Sequence, residues 1–377
     1  MDSLIQSAFE TNEPEKSWNL PPKAAVEKSV IDEYVNSKQA RIVVVGCGGA
    51  GNNSVTRLTS KGIAGAETVA INTDANHLSV TKAHKKILIG RETTKGLGAG
   101  GFPAVGKKAA EESRNELKEA LQNADLVFIT CGLGGGTGTG AAPVVARIAK
   151  EQGAIVIGTV TLPFKIEGAR ISKAEDGLLN LRETCDTVIV MENQKLLKLA
   201  GDMPLKQAFA LADELIATMI KGITETISQP SLVNLDYADV KAVMRAGGVA
   251  AIGVGESNSQ HRAQEAVNKA LNHPLLEVDY AGASGALIQI IGGEDMRLDE
   301  INEIGEAVSK NLDPEAQVIW GARVLPEFEG KIQVITIVTG VKSPYILGPS
   351  AQEAATAASG ARAGRRMESE LGIDMIG

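Results

Sequence analysis

Glycine and threonine dominate residues 132–140. The segment reads Gly-Leu-Gly-Gly-Gly-Thr-Gly-Thr-Gly, so six of its nine residues are glycine and two are threonine. Glycine lets backbone amides come close to an anion, and the N-terminus of a following helix adds partial positive charge. Threonine hydroxyls supply further hydrogen-bond donors. The composition therefore predicts a loop that wraps around a di- or triphosphate.

A second glycine-rich segment, Gly46-Cys-Gly-Gly-Ala-Gly51, directly follows the apolar run Ile42–Val45. It has the GxGxxG spacing of a dinucleotide-binding turn, with a helix expected from about Asn53 to Lys61. Asp74 follows the next apolar run, where a dinucleotide fold holds a ribose. Taken alone, these residues allow an NAD(P)-binding domain, although a second phosphate loop fits poorly with one.

A third segment, Gly101-Phe-Pro-Ala-Val-Gly-Lys-Lys108, matches seven of the eight positions of a Walker P-loop. The eighth position needs a Ser or Thr that binds magnesium, and here it is Lys108. The segment also follows another glycine-rich stretch, Gly96–Gly101, and not an apolar strand. We therefore reject the Walker interpretation.

Two carboxylates, Asp236 and Asp239, stand three residues apart in Asn-Leu-Asp-Tyr-Ala-Asp, residues 234–239. A helical turn that starts here would bring both onto one face. Paired carboxylates can orient and polarise a water molecule. The alternative interpretation is structural, since Asp236 is also a suitable helix N-cap.

These residues must be positioned by alternating strands and helices. Apolar runs predict strands at 41–45, 68–72, 87–90, 126–130, 154–162 and 187–191, and amphipathic spacing predicts helices at 109–123 and 141–151. Strands that alternate with glycine loops and helices are typical of a Rossmann-like, doubly wound parallel sheet. The fold class is therefore α/β.

The chain divides into five predicted parts. They are a flexible leader with a short helix (1–40), the phosphate-binding domain (41–203), a long central helix (204–229), an α+β domain (230–342) and a flexible tail with a terminal recognition peptide (343–377). Apolar residues at helical spacing without an internal proline predict the central helix. The second domain has predicted strands at 250–255, 286–292, 317–322 and 332–339, and helices at about 260–272 and 297–311.

Composition excludes several classes of protein. Lys plus Arg number 38 and Asp plus Glu 46, so the formal charge is −8, which argues against a surface for nucleic acid or anionic membrane. The three cysteines, Cys47, Cys131 and Cys185, form no CxxC pair and are expected to be reduced, buried thiols. Because no apolar run reaches the ~18 residues of a membrane span, we expect a cytoplasmic protein without direct membrane insertion.

The ordered motifs together resemble the tubulin and FtsZ superfamily, and in particular FtsZ in its archaeal form. Residues 134–140 read GGGTGTG, the signature of that superfamily. The resemblance runs from about residue 41 to residue 342 and includes the motifs at 46–53, 72–76, 96–101, 162–170, 193–196 and 234–244. It implies a GTPase with a second α+β domain that polymerises head to tail into protofilaments of the cytokinetic ring at mid-cell.

The resemblance also implies roles for individual residues. The nucleotide and its metal-coordinated phosphates would be lined by Gly48, Gly49, Asn52, Asn72, Asp74, Ala99, Gly100 and Gly101, and the β- and γ-phosphates cradled by Gly134, Gly135, Gly136, Thr137, Gly138, Thr139 and Gly140. Glu167 and Arg170 would contact the ribose, and Asn193 the guanine edge. Phe209 would stack on the base, and Asp213 would accept hydrogen bonds from guanine N1 and N2. Without the resemblance, helical spacing favours core packing for Phe209 and a solvated helix face for Asp213.

In the same way, Asp236 and Asp239 would lie in a synergy loop that acts on the GTP of the neighbouring subunit. The implied ligands are GTP or GDP, Mg²⁺ held mainly through the phosphates without an assigned protein ligand, and a monovalent cation such as K⁺. The implied partners are further copies of the chain and a SepF-like membrane anchor bound through residues 365–377. Two alternatives stay open: a relative that serves cell shape, and an NAD(P)-dependent oxidoreductase, which leaves Asp236 and Asp239 without a role.

Overall fold

The computed structural model describes residues 40–229, 231–233, 235–245, 248–272, 280, 283–310 and 312–341. The predicted leader helix and the terminal peptide lie outside these residues. Within them, no helix combines the length and the apolar character that crossing a membrane requires.

One ten-stranded sheet organises the described residues, in the order β3-β2-β1-β4-β5-β6-β7-β10-β8-β9. The strands are β1 Ile42–Cys47, β2 Ala66–Asn72, β3 Lys85–Leu88, β4 Leu126–Gly132, β5 Ile155–Leu162, β6 Thr187–Glu192, β7 Gly248–Ser257, β8 Ala283–Gly292, β9 Leu312–Val324 and β10 Ile332–Thr339. The first six are parallel, in the doubly wound order 3-2-1-4-5-6. The predicted α/β class is confirmed.

The C-terminal strands form a mixed extension of this sheet. β10 is antiparallel to both β7 and β8, whereas β8 and β9 are parallel. β7 joins the parallel part through three residue pairs with β6, from Thr187–Gly248 to Ile189–Ala250. The two parts are therefore linked by a short stretch of ladder.

Twelve α-helices cover the sheet in the described part of the chain. They are α1 Gly48–Lys61, α2 Ala75–Val80, α3 Arg91–Thr94, α4 Pro103–Glu112, α5 Arg114–Ala120, α6 Thr137–Glu151, α7 Ala169–Thr184, α8 Asn193–Ala200, α9 Leu205–Ser228, α10 Tyr237–Arg245, α11 Arg262–Leu271 and α12 Leu298–Ser309, with 3₁₀ turns at Lys165–Glu167 and Pro326–Phe328. The predicted long central helix is confirmed as α9, which has 24 residues.

Three helix boundaries differ from those predicted. The expected helix at 109–123 is two helices, because Pro103 starts α4 early and the chain breaks at Ser113, whose hydroxyl accepts a hydrogen bond from the Gly90 amide at 3.1 Å. Helices α1 and α6 begin inside the glycine-rich segments, at Gly48 and Thr137. Glycines are thus part of the first turn of both helices, where they leave backbone amides accessible.

Both faces of the parallel sheet are buried, as expected for apolar strands without alternation. In β1, Val43 and Val45 belong to one core cluster and Ile42 and Val44 to the other. The second cluster includes α9 and extends to Ile335 of β10. Helix α9 therefore packs against both parts of the sheet.

The three cysteines are buried and unbonded, which confirms the prediction of reduced thiols. Burial raises the pKa of the Cys47 and Cys185 thiols to about 12. These groups stay protonated near neutral pH and are poor nucleophiles.

Candidate functional site

The loops that follow β1 and β4 lie side by side at the C-terminal ends of these two neighbouring strands. β1 pairs with both β2 and β4, so the strand order reverses here, and crevices at such reversals are the usual ligand sites of doubly wound sheets. Cys47 at the end of β1 is in register with Cys131 of β4. The segments 46–51 and 132–140 therefore start at the same level.

The backbones of these two segments are in direct contact. Gly48 has φ +72°, and a Cβ added to it would lie 2.8 Å from the backbone nitrogen of Gly138. A side chain at Gly48 would thus be both strained and obstructed. The predicted glycines at these positions allow the two loops to form one surface of backbone amides.

The third glycine-rich segment, 96–101, is connected to the other two through the end of β2. The Gly98 amide donates to the Thr73 carbonyl oxygen at 3.0 Å, and the Ala75 amide donates to the Gly96 carbonyl at 3.0 Å. The hydroxyl oxygens of Thr73 and Thr137 lie 2.6 Å apart. The structure thus brings all three glycine segments to one end of the sheet.

Asn72 and Asp74 border this surface and also shape the local turn. The Asn72 side-chain oxygen accepts from the amides of Thr73 and Asp74, at 2.9 and 3.2 Å. One Asp74 carboxylate oxygen accepts from the His77 amide at 3.0 Å and so caps α2. Both predicted residues are located at the loops.

Asn52 is buried completely in the first turns of α1, and its side chain lacks hydrogen-bond partners. Neither its amide oxygen nor its amide nitrogen is bonded within the described part of the chain. A buried amide without partners is unfavourable. Asn52 can therefore offer both a donor and an acceptor to a ligand.

Phe209 and Asp213, one helical turn apart on α9, contact residues that neighbour the glycine loops. Phe209 is 40% exposed and so is not packed in the core, and its ring meets the ring of Phe164 edge to face, with centroids 5.9 Å apart. The half-buried Asp213 accepts from the Ser54 hydroxyl of α1 at 2.6 Å. Burial raises the pKa of the Asp213 carboxyl, while the Ser54 hydrogen bond and the Arg57 charge lower it.

Glu167 and Arg170 form an ion pair beside Phe164. Arg170 Nη1 lies 2.7 Å from one carboxylate oxygen of Glu167, and the other oxygen accepts from the Phe164 amide at 2.9 Å. A Cβ on Gly134 would lie 2.7 Å from the Arg170 carbonyl oxygen, so α7 begins against the phosphate loop. Asn193 is the first residue of α8.

Asp236 and Asp239 are not brought to these loops. The Asp236 carbonyl accepts from the amides of Asp239 and Val240, at 3.0 and 3.2 Å, which puts Asp236 at the N-cap position of α10. Its carboxylate is exposed and makes no hydrogen bond with other described residues. The backbone thus follows the capping alternative, while the carboxylate stays available.

The position of α10 relative to β4 separates these carboxylates from the phosphate loop. Tyr237 donates through its hydroxyl to the carbonyl of Asp125, which directly precedes β4, whereas Gly132 at the other end of β4 starts the loop. A strand of seven residues spans about 20 Å. Asp236 and Asp239 therefore lie at the opposite end of the sheet from their own chain's glycine loops.

Metal ligands are sparse at the site. The described residues hold no group of three or more His, Cys, Asp or Glu side chains that could bind a metal ion. The oxygen donors at the loops include the Asp74 carboxylate and the hydroxyls of Thr73 and Thr137, which suit a hard cation. These few donors fit an ion that is bound mainly by ligand phosphates.

Three contributing residues were missed from the sequence. Thr73 lies between two singled-out residues, Asn72 and Asp74, and that placement was the available signal. Ser54 and Phe164 carry no distinctive pattern, because their roles depend on contacts with α9 across the fold.

Comparison with known proteins assigns two family models to the chain. Residues 41–201 match the GTPase domain of the Tubulin/FtsZ family, and residues 248–342 match the C-terminal domain of the FtsZ family. The chain is 60% identical over 331 residues to Cell division protein FtsZ 2 of Methanocaldococcus jannaschii, an alignment that covers 86% of this chain and 87% of the relative.

Solved structures agree with these matches. An FtsZ dimer from M. jannaschii, described as empty, is 53% identical, with a TM-score of 0.79 and coverage of 85% of this chain and 93% of the other. CetZ2 from Haloferax volcanii, in a protofilament with GTPγS bound, has a TM-score of 0.70 at 24% identity, covering 85% and 99%. The second similarity shows a common fold alone.

Proposed function

Because this chain belongs to the FtsZ family of tubulin-like GTPases that act in cell division, we propose that it assembles head to tail into protofilaments of the division ring and hydrolyses GTP between subunits. The proposal rests on one observation, the distance between the glycine loops and the carboxylates of Asp236 and Asp239. The glycine loops lie at one end of β4 and Asp236 and Asp239 at the other. A head-to-tail neighbour would bring complementary ends together.

The glycine loops are proposed to bind the phosphates. Backbone amides of Gly134–Gly140 at the start of α6, and of Gly48 and Gly49 at the start of α1, would donate to the β- and γ-phosphate oxygens. Ala99, Gly100 and Gly101 would close the site from the third segment. The Thr73–Thr137 contact of 2.6 Å keeps the segments together.

Selection of guanine is proposed to rest on Asp213, Asn193 and Phe209. A carboxylate that accepts from both N1–H and the exocyclic amine discriminates against adenine, which lacks this pair of donors. The 40% exposed ring of Phe209 would stack on the base. Glu167 and Arg170, already paired with each other at 2.7 Å, would contact the ribose.

We expect GTP affinity to fall on acidification, and to begin falling at a higher pH than the range around the ordinary aspartate pKa of about 3.9. Burial raises the pKa of the Asp213 carboxyl, so acid protonates it earlier than an exposed aspartate, and the protonated group loses one acceptor. The Asp213→Asn variant should bind GTP roughly 10- to 100-fold more weakly at pH 7.5. Isothermal titration across the pH range would compare the two. An equally steep pH dependence in the variant would contradict the role of Asp213.

Mg²⁺ is proposed to be held mainly by phosphate oxygens, with Asp74, Thr73 and Thr137 as the neighbouring oxygen donors. When bound, the ion would offset charge on the transferred phosphoryl group. A requirement for K⁺ stays a prediction.

The hydrolytic step is proposed to use Asp236 and Asp239 of one subunit on the GTP of the next. The carboxylates would orient and polarise a water molecule that attacks the γ-phosphorus, while the bond to the bridging oxygen breaks to release GDP and phosphate. Loop amides of the GTP-bearing subunit would stabilise the charge that develops. Each complete site therefore needs two subunits.

This arrangement predicts that GTP turnover per subunit rises sharply above a threshold protein concentration. Below it, subunits are separate and each site lacks its carboxylates. Light scattering and phosphate release would be recorded together over a dilution series with GTP, with GDP and NADH as controls. Constant turnover per subunit upon dilution would show a self-contained site and overturn the proposal.

We further propose that residues 365–377 bind a SepF-like membrane anchor. The segment ends in the short apolar peptide Leu-Gly-Ile-Asp-Met-Ile-Gly. Deleting it should abolish binding to the anchor and leave GTP turnover unchanged, as tested by pull-down and phosphate release. Equal anchor binding by the truncated chain would refute this assignment.

The proposed organisation keeps a GTP-binding part at 41–203, a central helix at 204–229 and a C-terminal part at 230–342, and the family matches at 41–201 and 248–342 support it. The GTPase match argues against the oxidoreductase alternative. The 60% identity to Cell division protein FtsZ 2 favours a role in division over the alternative of a relative that serves cell shape.

A further inference from the structure

Tyr237 separates the two proposed catalytic residues along the chain and links them to the parallel part of the sheet. Its hydroxyl donates to the Asp125 carbonyl oxygen at 2.8 Å, across 112 residues of sequence. The same oxygen accepts from the Ile155 amide at 2.8 Å, so the hydroxyl is joined to the β4–β5 ladder. The contact lies at the N-terminal end of both strands.

The residue that receives this hydrogen bond is itself fixed. The Asp125 carboxylate accepts from the Arg41 amide at 2.8 Å, and the Arg41 carbonyl accepts from the Asp125 amide at 2.9 Å. These bonds hold the start of β4 to the start of β1. The anchor of Tyr237 is therefore part of the rigid sheet.

The rest of the segment is attached to the C-terminal strands. Val233 exchanges two backbone hydrogen bonds of 3.1 Å with Ala322 of β9, and Leu235 and Val240 are buried. Asp236 and Asp239 thus lie on a segment that contacts both parts of the fold. Through its hydroxyl, Tyr237 attaches this segment to the start of β4, and the other end of that strand leads into the phosphate loop.

We propose that Tyr237 is a positioning residue for GTP hydrolysis, which holds the first turn of α10 so that Asp236 and Asp239 meet the neighbouring subunit's nucleotide at a fixed place. The proposal rests on the proposed function of these carboxylates. A displacement of about 1 Å in a catalytic group can lower a rate by about 10²-fold. The Tyr237 hydrogen bond therefore attaches the first turn of α10 to β4, the strand whose other end leads into the phosphate loop.

The test replaces only the hydroxyl, with Tyr237→Phe in the full chain. The ring stays in place, near Lys241, whose Nζ lies 5.8 Å from the ring centroid. We expect GTP turnover per assembled subunit to fall about ten-fold. The affinity for GTP and the threshold concentration for assembly, measured by titration and sedimentation, should change by less than about two-fold, because neither depends on the hydroxyl.

Tyr280→Phe is the matched control. Tyr280 also donates its hydroxyl to a backbone carbonyl at 2.8 Å, that of Leu271 at the end of α11, and this hydrogen bond involves no residue of α10. Both variants lose one tyrosine–carbonyl hydrogen bond, and thermal unfolding would compare their stabilities. Turnover per assembled subunit should fall in Tyr237→Phe alone.

A combined variant separates positioning from general destabilisation. Adding Tyr237→Phe to a chain that already carries both Asp236→Ala and Asp239→Ala should give no further loss of turnover, because both groups that Tyr237 positions are then absent. A multiplicative loss, or equal turnover in Tyr237→Phe and Tyr280→Phe, would overturn the proposal. If Asp239→Ala itself keeps full turnover, the proposed function fails instead.

Discussion

Replacing Asp239 with alanine is expected to lower GTP turnover by about 10²–10³, while GTP binding and assembly stay intact. The residue lies in the first turn of α10, at the opposite end of β4 from the loops proposed to bind GTP. Its loss therefore leaves the binding site of its own subunit unchanged. In the proposed mechanism, what is lost is the carboxylate that orients water at the neighbouring subunit's γ-phosphate. Asp236→Ala should behave in the same way.

Phosphate release and sedimentation of the same samples would separate hydrolysis from assembly. Asp299→Ala is a suitable control, because Asp299 also lies in the first turn of a helix, α12, and its carboxylate is exposed. Any loss of helix stability from removing a first-turn carboxylate should appear in both variants. Unchanged phosphate release by Asp239→Ala assemblies would refute the shared catalytic site.

Replacing Gly51 with alanine is expected to weaken GTP binding at least ten-fold and to lower the thermal unfolding midpoint. A Cβ at this position would lie 2.1 Å from the carbonyl oxygen of Thr130 in β4 and 3.2 Å from the carbonyl carbon of Gly46. Both obstructing atoms are backbone, so no side chain can move aside. The first glycine loop would have to shift away from β4, at a cost of about 1–3 kcal/mol in stability.

Titration with GTP and thermal unfolding would measure the two effects. Gly305→Ala is the matched control. In the described part of the chain, a Cβ added there, in the middle of α12, has no atom within 4 Å apart from its chain neighbours and the backbone of its own helix. Alanine has the higher helix propensity, by about 1 kcal/mol, so this variant should be at least as stable as the parent. Wild-type GTP affinity in Gly51→Ala would contradict the tight contact between the loop and β4.

Much of the framework could be predicted from local patterns. The apolar runs gave every strand of the parallel part, and the spacing of apolar residues gave α9 within one residue at each end. The break at Ser113 was missed, because it depends on a hydrogen bond to Gly90, 23 residues away. The early starts of α1 and α6 were missed as well, since glycine has low helix propensity and tertiary contact overrides it.

The parts of the candidate site, namely the glycine loops, the α9 residues and the Asp239 segment, were predictable to different extents. The glycine-rich segments could be located from composition, whereas the roles of their individual residues were inferred from the family resemblance. Asp213 and Phe209 were singled out only through the family resemblance, because their surroundings come from α1 and from the segment around Phe164. The separation of Asp239 from the loops follows from the placement of α10 at the start of β4, a packing relationship that spacing along the chain does not encode.

The burial of all three cysteines makes the chain well suited to site-directed labelling. Because burial raises the pKa of the Cys47 and Cys185 thiols to about 12, both stay protonated at pH 7, and Cys131 is also buried. A cysteine introduced at an exposed helical position, such as Glu303→Cys, would therefore react selectively with a maleimide dye. Subunit exchange along single filaments could then be followed by fluorescence without first removing any native thiol.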